Sequence, residues 1–156
     1  MMDGAVATPT LSKQRLRLWL RLLRAVRETE GALRVRLKDH GSTLPRFDVM
    51  AALARRPEGA AMGELSRMLR VSGGNVTALV DRLEADGLAE RRAVPGDRRS
   101  SLVALTPAGA DAFAAMAEAH EGWIDAAFSS LDAEDLDRMI AGLDRAPDLR
   151  RLEDCT

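Results

Sequence analysis

Between Ser72 and Arg99 the chain gathers side chains suited to hydrogen bonding with a duplex nucleic acid rather than to breaking covalent bonds. The amide of Asn75 can form paired hydrogen bonds to adenine, and Thr77 offers a hydroxyl and a methyl for a phosphate or a thymine. Ser72, Gly73 and Gly74 precede them. The two glycines hold no side chain between the backbone and an approaching phosphate, and N–H groups at a helix start add partial positive charge. Ala78, Asp81 and Arg82 fall on the same outward side. Farther on, Asp97-Arg98-Arg99 sets two guanidinium groups side by side. Arg99 suits a minor-groove probe and Arg98 a phosphate contact. Asp97, two residues before Arg99, can pair with it and fix its direction, which reduces the rotamer entropy lost on binding.

These residues need a helix followed by a hairpin, and the surrounding sequence supplies both. Val76, Leu79, Val80 and Leu83 make the inner face of a helix over 74–86, with Ser72 as its N-cap and Gly87 as its left-handed stop. A shorter helix over 63–69 precedes it, burying Leu65, Met68 and Leu69. Residues 89–94 and 100–105 read as strands joined by a Pro-Gly-Asp turn. Upstream, Pro45 fits the first turn of a helix over 46–55 that turns Phe47, Met50, Ala51 and Ala54 inward. Ser12 caps a long helix reaching Asp39, on which Leu16, Trp19, Leu20, Leu23 and Val26 form one stripe, resumed by Leu33 and Leu37. Leu18, Leu22 and Ala25 form a second. Two stripes imply two burials, one in the subunit and one against a partner. Thr106-Pro107 starts another long helix, with Phe113, Met116, Ala117, Trp123, Ile124 and Ala127 inward, and Asp132 caps a last one that ends near Pro147. The order α-α-α-α-β-β-α-α is mainly α with a small β-hairpin: a winged helix-turn-helix over about 45–106, flanked by dimerisation helices over about 11–39 and 107–150. Residues 1–10 read as a disordered segment, and 11–156 as one domain.

The bulk numbers narrow the classes. The chain has 156 residues, 46% of them apolar, enough for one core, and aromatics are only 3%, so Leu, Ala, Val and Met build it. Net charge is −1, but residues 13–38 and 82–99 are locally basic, as a nucleic-acid face requires. Cys155 is the only cysteine, which excludes an intrachain disulfide or a cysteine-built metal site. No apolar run approaches a membrane span and the N-terminus lacks a signal-peptide pattern, so a cytoplasmic protein is expected. His40 and His120 lie in separate elements, and there is no phosphate loop, nucleophile elbow or metal-ligand spacing. Neither an enzyme nor a metal or cofactor is expected.

The winged segment resembles the MarR family of bacterial transcriptional regulators. The residues that carry the resemblance are Glu64-Leu65-Ser66, Asn75-Val76-Thr77, Leu79-Val80-Asp81-Arg82-Leu83, Gly87-Leu88, Arg91-Arg92, Asp97-Arg98-Arg99, Val103-Ala104-Leu105-Thr106 and Gly109. The resemblance implies a homodimer formed by the first and last helices, a repressor bound to a pseudo-palindromic operator in double-stranded DNA, and release by a small ligand, often an aromatic acid. Val71–Thr77 together with Met116–Ile124 is similar to the branch controlling hydroxycinnamate and related aromatic-acid catabolism, which implies an aromatic acid or its acyl-CoA thioester as effector. The bulky groups available for such a ligand are Trp19, Phe47, Met50 and Trp123, and Arg24, Arg46 and His120 are possible partners for its carboxylate or phosphates. Each of these also reads as an ordinary core or surface residue. The competing function is a winged helix used only for protein contact, and a gel shift separates the two.

Overall fold

The structure is a computed structural model that describes residues 10–94 and 96–145, and of residues 97–100 the backbone alone. The expectations for residues 1–9, the helix stop at Pro147, Cys155, and the side chains of Asp97, Arg98 and Arg99 lie outside the described residues. The chain divides into two compact units, Met1–His120 and Glu121–Thr156.

In the first unit, helix α1 (Leu11–Asp39) starts from Thr10, not Ser12: the Thr10 hydroxyl accepts from the Lys13 N–H at 3.4 Å. Leu33 and Leu37 are buried, but Leu16, Leu18, Trp19, Leu20 and Val26 are exposed, Trp19 by 58%. Neither expected stripe is thus fully covered along the N-terminal half of α1. Helix α2 (Leu44–Ala54) begins two residues earlier than expected, because Thr43 caps it by accepting from the Arg46 N–H, with Pro45 in the first turn. Phe47, Val49, Met50, Ala52 and Leu53 are buried, while Ala54, expected inward, is exposed.

A two-residue strand β1 (Ala60–Ala61) follows, then helices α3 (Met62–Leu69) and α4 (Gly73–Ala85) and strands β2 (Ala89–Val94) and β3 (Asp97–Leu105). The sheet is antiparallel in the order β1-β3-β2. The hairpin pairs regularly from Ala89↔Leu105 to Ala93↔Ser101, and its register then slips so that Val94 faces Asp97. Strand β3 therefore starts three residues before the expected Ser100. Alanines alone gave β1 no alternation to read. Val49, Met50 and Leu53 from α2, Leu65 from α3, Val76, Val80 and Leu83 from α4 and Val103 from β3 are almost wholly buried. Each such side chain contributes about 1.5–3 kcal/mol of burial free energy, so this core fixes the attitude of α4 and the hairpin.

Helix α5 (Pro107–Phe128) is locked to the end of α4 at its start. The Thr106 N–H donates to the Leu88 carbonyl at 3.1 Å and its hydroxyl to the Gly87 carbonyl at 2.7 Å. The same hydroxyl accepts from the Gly109 N–H at 3.0 Å, capping the helix. Gly109 is buried against Leu88, and a Cβ there would lie 2.8 Å from the Leu88 carbonyl carbon and closer still to its oxygen.

In the second unit, Asp132 caps helix α6 (Ala133–Asp144) by accepting from the Asp135 N–H at 2.8 Å, and Glu134 and Asp135 in its first turn suit the helix dipole. Leu136, Met139, Ile140 and Leu143 share a face, as their spacing predicts, and are exposed. Among the described residues no helix is long and apolar enough to cross a membrane.

Candidate nucleic-acid interface

The turn between α3 and α4 is tight. The Val71 N–H donates to the Ser66 carbonyl at 3.3 Å, and the Ser66 hydroxyl donates back to the Val71 carbonyl at 2.6 Å. Helix α4 then presents two different faces. Val76, Val80 and Leu83 are fully buried, whereas Ser72, Gly73, Gly74, Asn75, Thr77, Ala78, Asp81 and Arg82 are all exposed. Ser72 occupies the N-cap position, but its side chain makes no capping bond, contrary to expectation. Its backbone is already extended, so the helix starts without the hydroxyl, and the first-turn N–H groups receive nothing from it. Thr77 spends its hydroxyl proton on the Gly73 carbonyl at 2.9 Å, which leaves its oxygen lone pairs and its methyl for an incoming group.

The hairpin is tied to α4 by one residue, expected only as part of a basic cluster and of the family motif. Arg91 of β2 reaches Asp81 at 2.7 Å and also pairs with Glu84, while its backbone N–H donates to Glu84 at 2.9 Å. Arg92 pairs with Glu90 at 2.8 Å. The basic cluster expected over 82–99 is therefore partly neutralised: Arg91 ties the hairpin to α4, Arg92 is paired within its own strand, and Asp81, expected at the DNA, has its carboxylate on Arg91. The signal in sequence was a helix with acidic residues at 81 and 84, three apart and so on one face, followed directly by a strand carrying Arg91.

Behind α4, Arg46 of α2 pairs with Asp86, the residue that closes α4, at 2.6 Å. Its side chain is only 18% exposed, and its Nε is buried with no hydrogen-bond partner. A cation at a helix C-terminus is favourably placed, so this pair seats the end of α4 on α2. Phe47 stacks on the His120 ring at 4.8 Å and tilts against Phe113 at 5.6 Å. Next to Phe47, Asp48 is exposed as a residue, yet partial desolvation pushes its carboxyl above the usual carboxylate value; Glu30 adds to the rise and His120 opposes it.

This arrangement matches known proteins. Residues 40–100 fit the MarR family model. The uncharacterized HTH-type transcriptional regulator YkoM of Bacillus subtilis (strain 168) is 35% identical over 109 residues, covering 70% of each chain. A MarR family transcriptional regulator from Silicibacter pomeroyi superimposes with a TM-score of 0.70 at 33% identity, covering 96% of this chain and all of that one. The chain belongs to the MarR family of transcriptional regulators. S. aureus MepR, solved as a DNA complex, shares the fold at 21% identity with a TM-score of 0.71, covering 81% of this chain and 94% of that one.

Membership of the MarR family makes this a transcriptional regulator and not an enzyme. The structure brings together only some of the residues considered for an effector. Phe47 and His120 are brought together. Met50 is sealed in the core with no exposed surface, so it lines no opening. Arg46 is engaged by Asp86, and Arg24 pairs with Glu28 one turn along an exposed stretch of α1 at 2.7 Å, which raises the guanidinium pKa further. Trp19 stands exposed on α1, and Trp123 is half-buried in the second unit.

Proposed function

We propose that this MarR-family chain acts in the cytoplasm as a homodimeric repressor. Each copy lays α4 in a major groove and its hairpin wing along the neighbouring minor groove of a pseudo-palindromic operator. The observation that carries the reading is the two-sided character of α4. Its core face is fully buried, and its opposite face presents Asn75, Thr77 and Arg82 beside an N-terminus that Ser72 leaves uncapped. Asn75 and Thr77 are the base readers, the exposed N–H groups of Gly73 and Gly74 take a phosphate, and Arg99, directed by Asp97, probes the minor groove with Arg98 on the backbone. The exposed apolar stripes of α1 and of α6 are surfaces for the second copy. The effector is an aromatic acid or its CoA thioester, and the Phe47–His120 stack supports a site for an aromatic ring.

The test is a gel shift on the duplex upstream of the protein's own coding sequence. Retardation that weakens steeply with salt, with a footprint of two half-sites about one helical turn apart, is expected. No retardation at low salt would leave only the protein-contact function. A thermal-shift panel of aromatic acids and their CoA esters, repeated in the gel shift, tests the effector.

A further inference from the structure

We propose that Arg70, at the turn between α3 and α4, is a phosphate clamp for the DNA backbone, displayed by a deliberately unfavourable backbone conformation. The inference rests on the DNA-binding reading above.

Among the described residues five positions have positive φ, and four of them are glycine: Gly41, Gly59, Gly87 and Gly96. The fifth is Arg70, with φ 52° and ψ 38°, in the left-handed region where a Cβ crowds the backbone. Helices α1 and α4 are each followed by one of those glycines, Gly41 and Gly87, the residue type that adopts this conformation without strain. Helix α3 alone of the three closes on a long charged side chain. Nothing in the backbone asks for arginine there, so the side chain is the reason for it.

Hydrogen bonds across the turn favour this conformation. The reciprocal Ser66–Val71 bonds close it, and the Arg70 N–H points back to the Arg67 carbonyl at 3.4 Å. Arg70 is exposed, and no carboxylate among the described residues pairs with it, whereas Arg46, Arg56, Arg91 and Arg92 are all held by carboxylates. It stands two residues before Ser72, the N-cap of the helix that carries Asn75 and Thr77. A guanidinium so placed offers paired donors to a phosphodiester, a contact that adds affinity and register without reading sequence.

The experiment compares the full-length protein with Arg70→Gly, Arg70→Asn and Arg70→Lys. Asparagine tolerates the left-handed region, so Arg70→Asn keeps the turn if glycine loosens it. Binding is measured by fluorescence anisotropy on the upstream duplex and on a 30-bp mixed-sequence duplex, across a salt series. The expected result for Arg70→Gly and Arg70→Asn is a melting temperature unchanged or raised by roughly 2–4 °C. Affinity should fall roughly 5- to 10-fold on both duplexes, with the slope of log K against log salt shallower by about one for each chain bound. Arg70→Lys should keep most of the slope. Unchanged slopes in Gly and Asn variants that melt normally would overturn the clamp while leaving the DNA-binding reading intact. Variants that melt well below wild type would also overturn it, since arginine would then be serving the fold. A wild-type protein that retards neither duplex would sink the functional reading and the clamp together.

Discussion

Replacing Gly109 by alanine should be costly, although alanine is the better helix former by about 1 kcal/mol. The new Cβ would overlap the Leu88 carbonyl, a backbone group that no rotamer change can move. Restoring ordinary contact distance requires the start of α5 to shift outward by roughly 1.5 Å, given normal van der Waals separations. That shift stretches the Thr106 N–H to Leu88 bond and disturbs the Thr106 hydroxyl that joins Gly87 to the Gly109 N–H. Losing a hydrogen bond of this kind costs about 1 kcal/mol, losing a cap costs about the same, and overpacking adds roughly 1–3 kcal/mol. After the gain in helix propensity, a net loss of about 2–4 kcal/mol remains. For a chain of this size that lowers Tm by about 4–16 °C, measurable by circular dichroism or calorimetry. A Gly109→Ala protein as stable as wild type, or stabilised by the intrinsic preference for alanine, would refute the close approach of α5 to Leu88.

Three further outcomes are expected. Arg99→Ala should weaken operator binding by roughly 10- to 100-fold without changing oligomeric state, and anisotropy with sedimentation checks both. Asp48 is held above the usual carboxylate value, so the folded state takes up its proton more readily than the unfolded chain; the stability this provides is present in acid and lost as pH rises through the raised value. Asp48→Asn should therefore be more stable than wild type at pH 7, with the advantage shrinking toward pH 4, and an advantage independent of pH would contradict the assignment. Trp19→Glu places a charge on the exposed α1 stripe and should shift any dimer at least about tenfold toward monomer, since burying a large apolar side chain contributes roughly 1.5–3 kcal/mol; a dimer of unchanged mass and affinity would remove α1 from the interface.

Much of this was legible before any coordinates. The spacing of Val76, Val80 and Leu83 fixed which face of α4 is inward, and hence which residues could face a groove. Gly87 and the Thr106-Pro107 pair marked the ends of α4 and the start of α5. Less legible were features set by partners distant in sequence. Strand β1 exists because Ala60 and Ala61 find β3, more than forty residues later. The choice of Thr10 and Thr43 as caps turned on a few ångströms of backbone path that composition does not encode. Charge was the least readable property. Arg91 and Arg92 look like part of a basic surface when counted along the chain, and folding pairs them with Asp81, Glu84 and Glu90. The left-handed backbone of Arg70 was equally hidden, since the turn usually announces itself by glycine.

The engagement of Asp81 by Arg91 also bears on how a protein of this design could come to recognise new sites. On the groove-facing side of α4, substitution at Asp81 cannot be made for its effect on a base alone, because it would also remove one of the two carboxylates that hold Arg91 of the hairpin. Among the described residues, Ser72, Asn75, Thr77 and Ala78 have no side-chain bond to the hairpin. Divergence toward a new target sequence would then run most freely through those four positions, whereas a change at Asp81 would leave Arg91 to Glu84 alone.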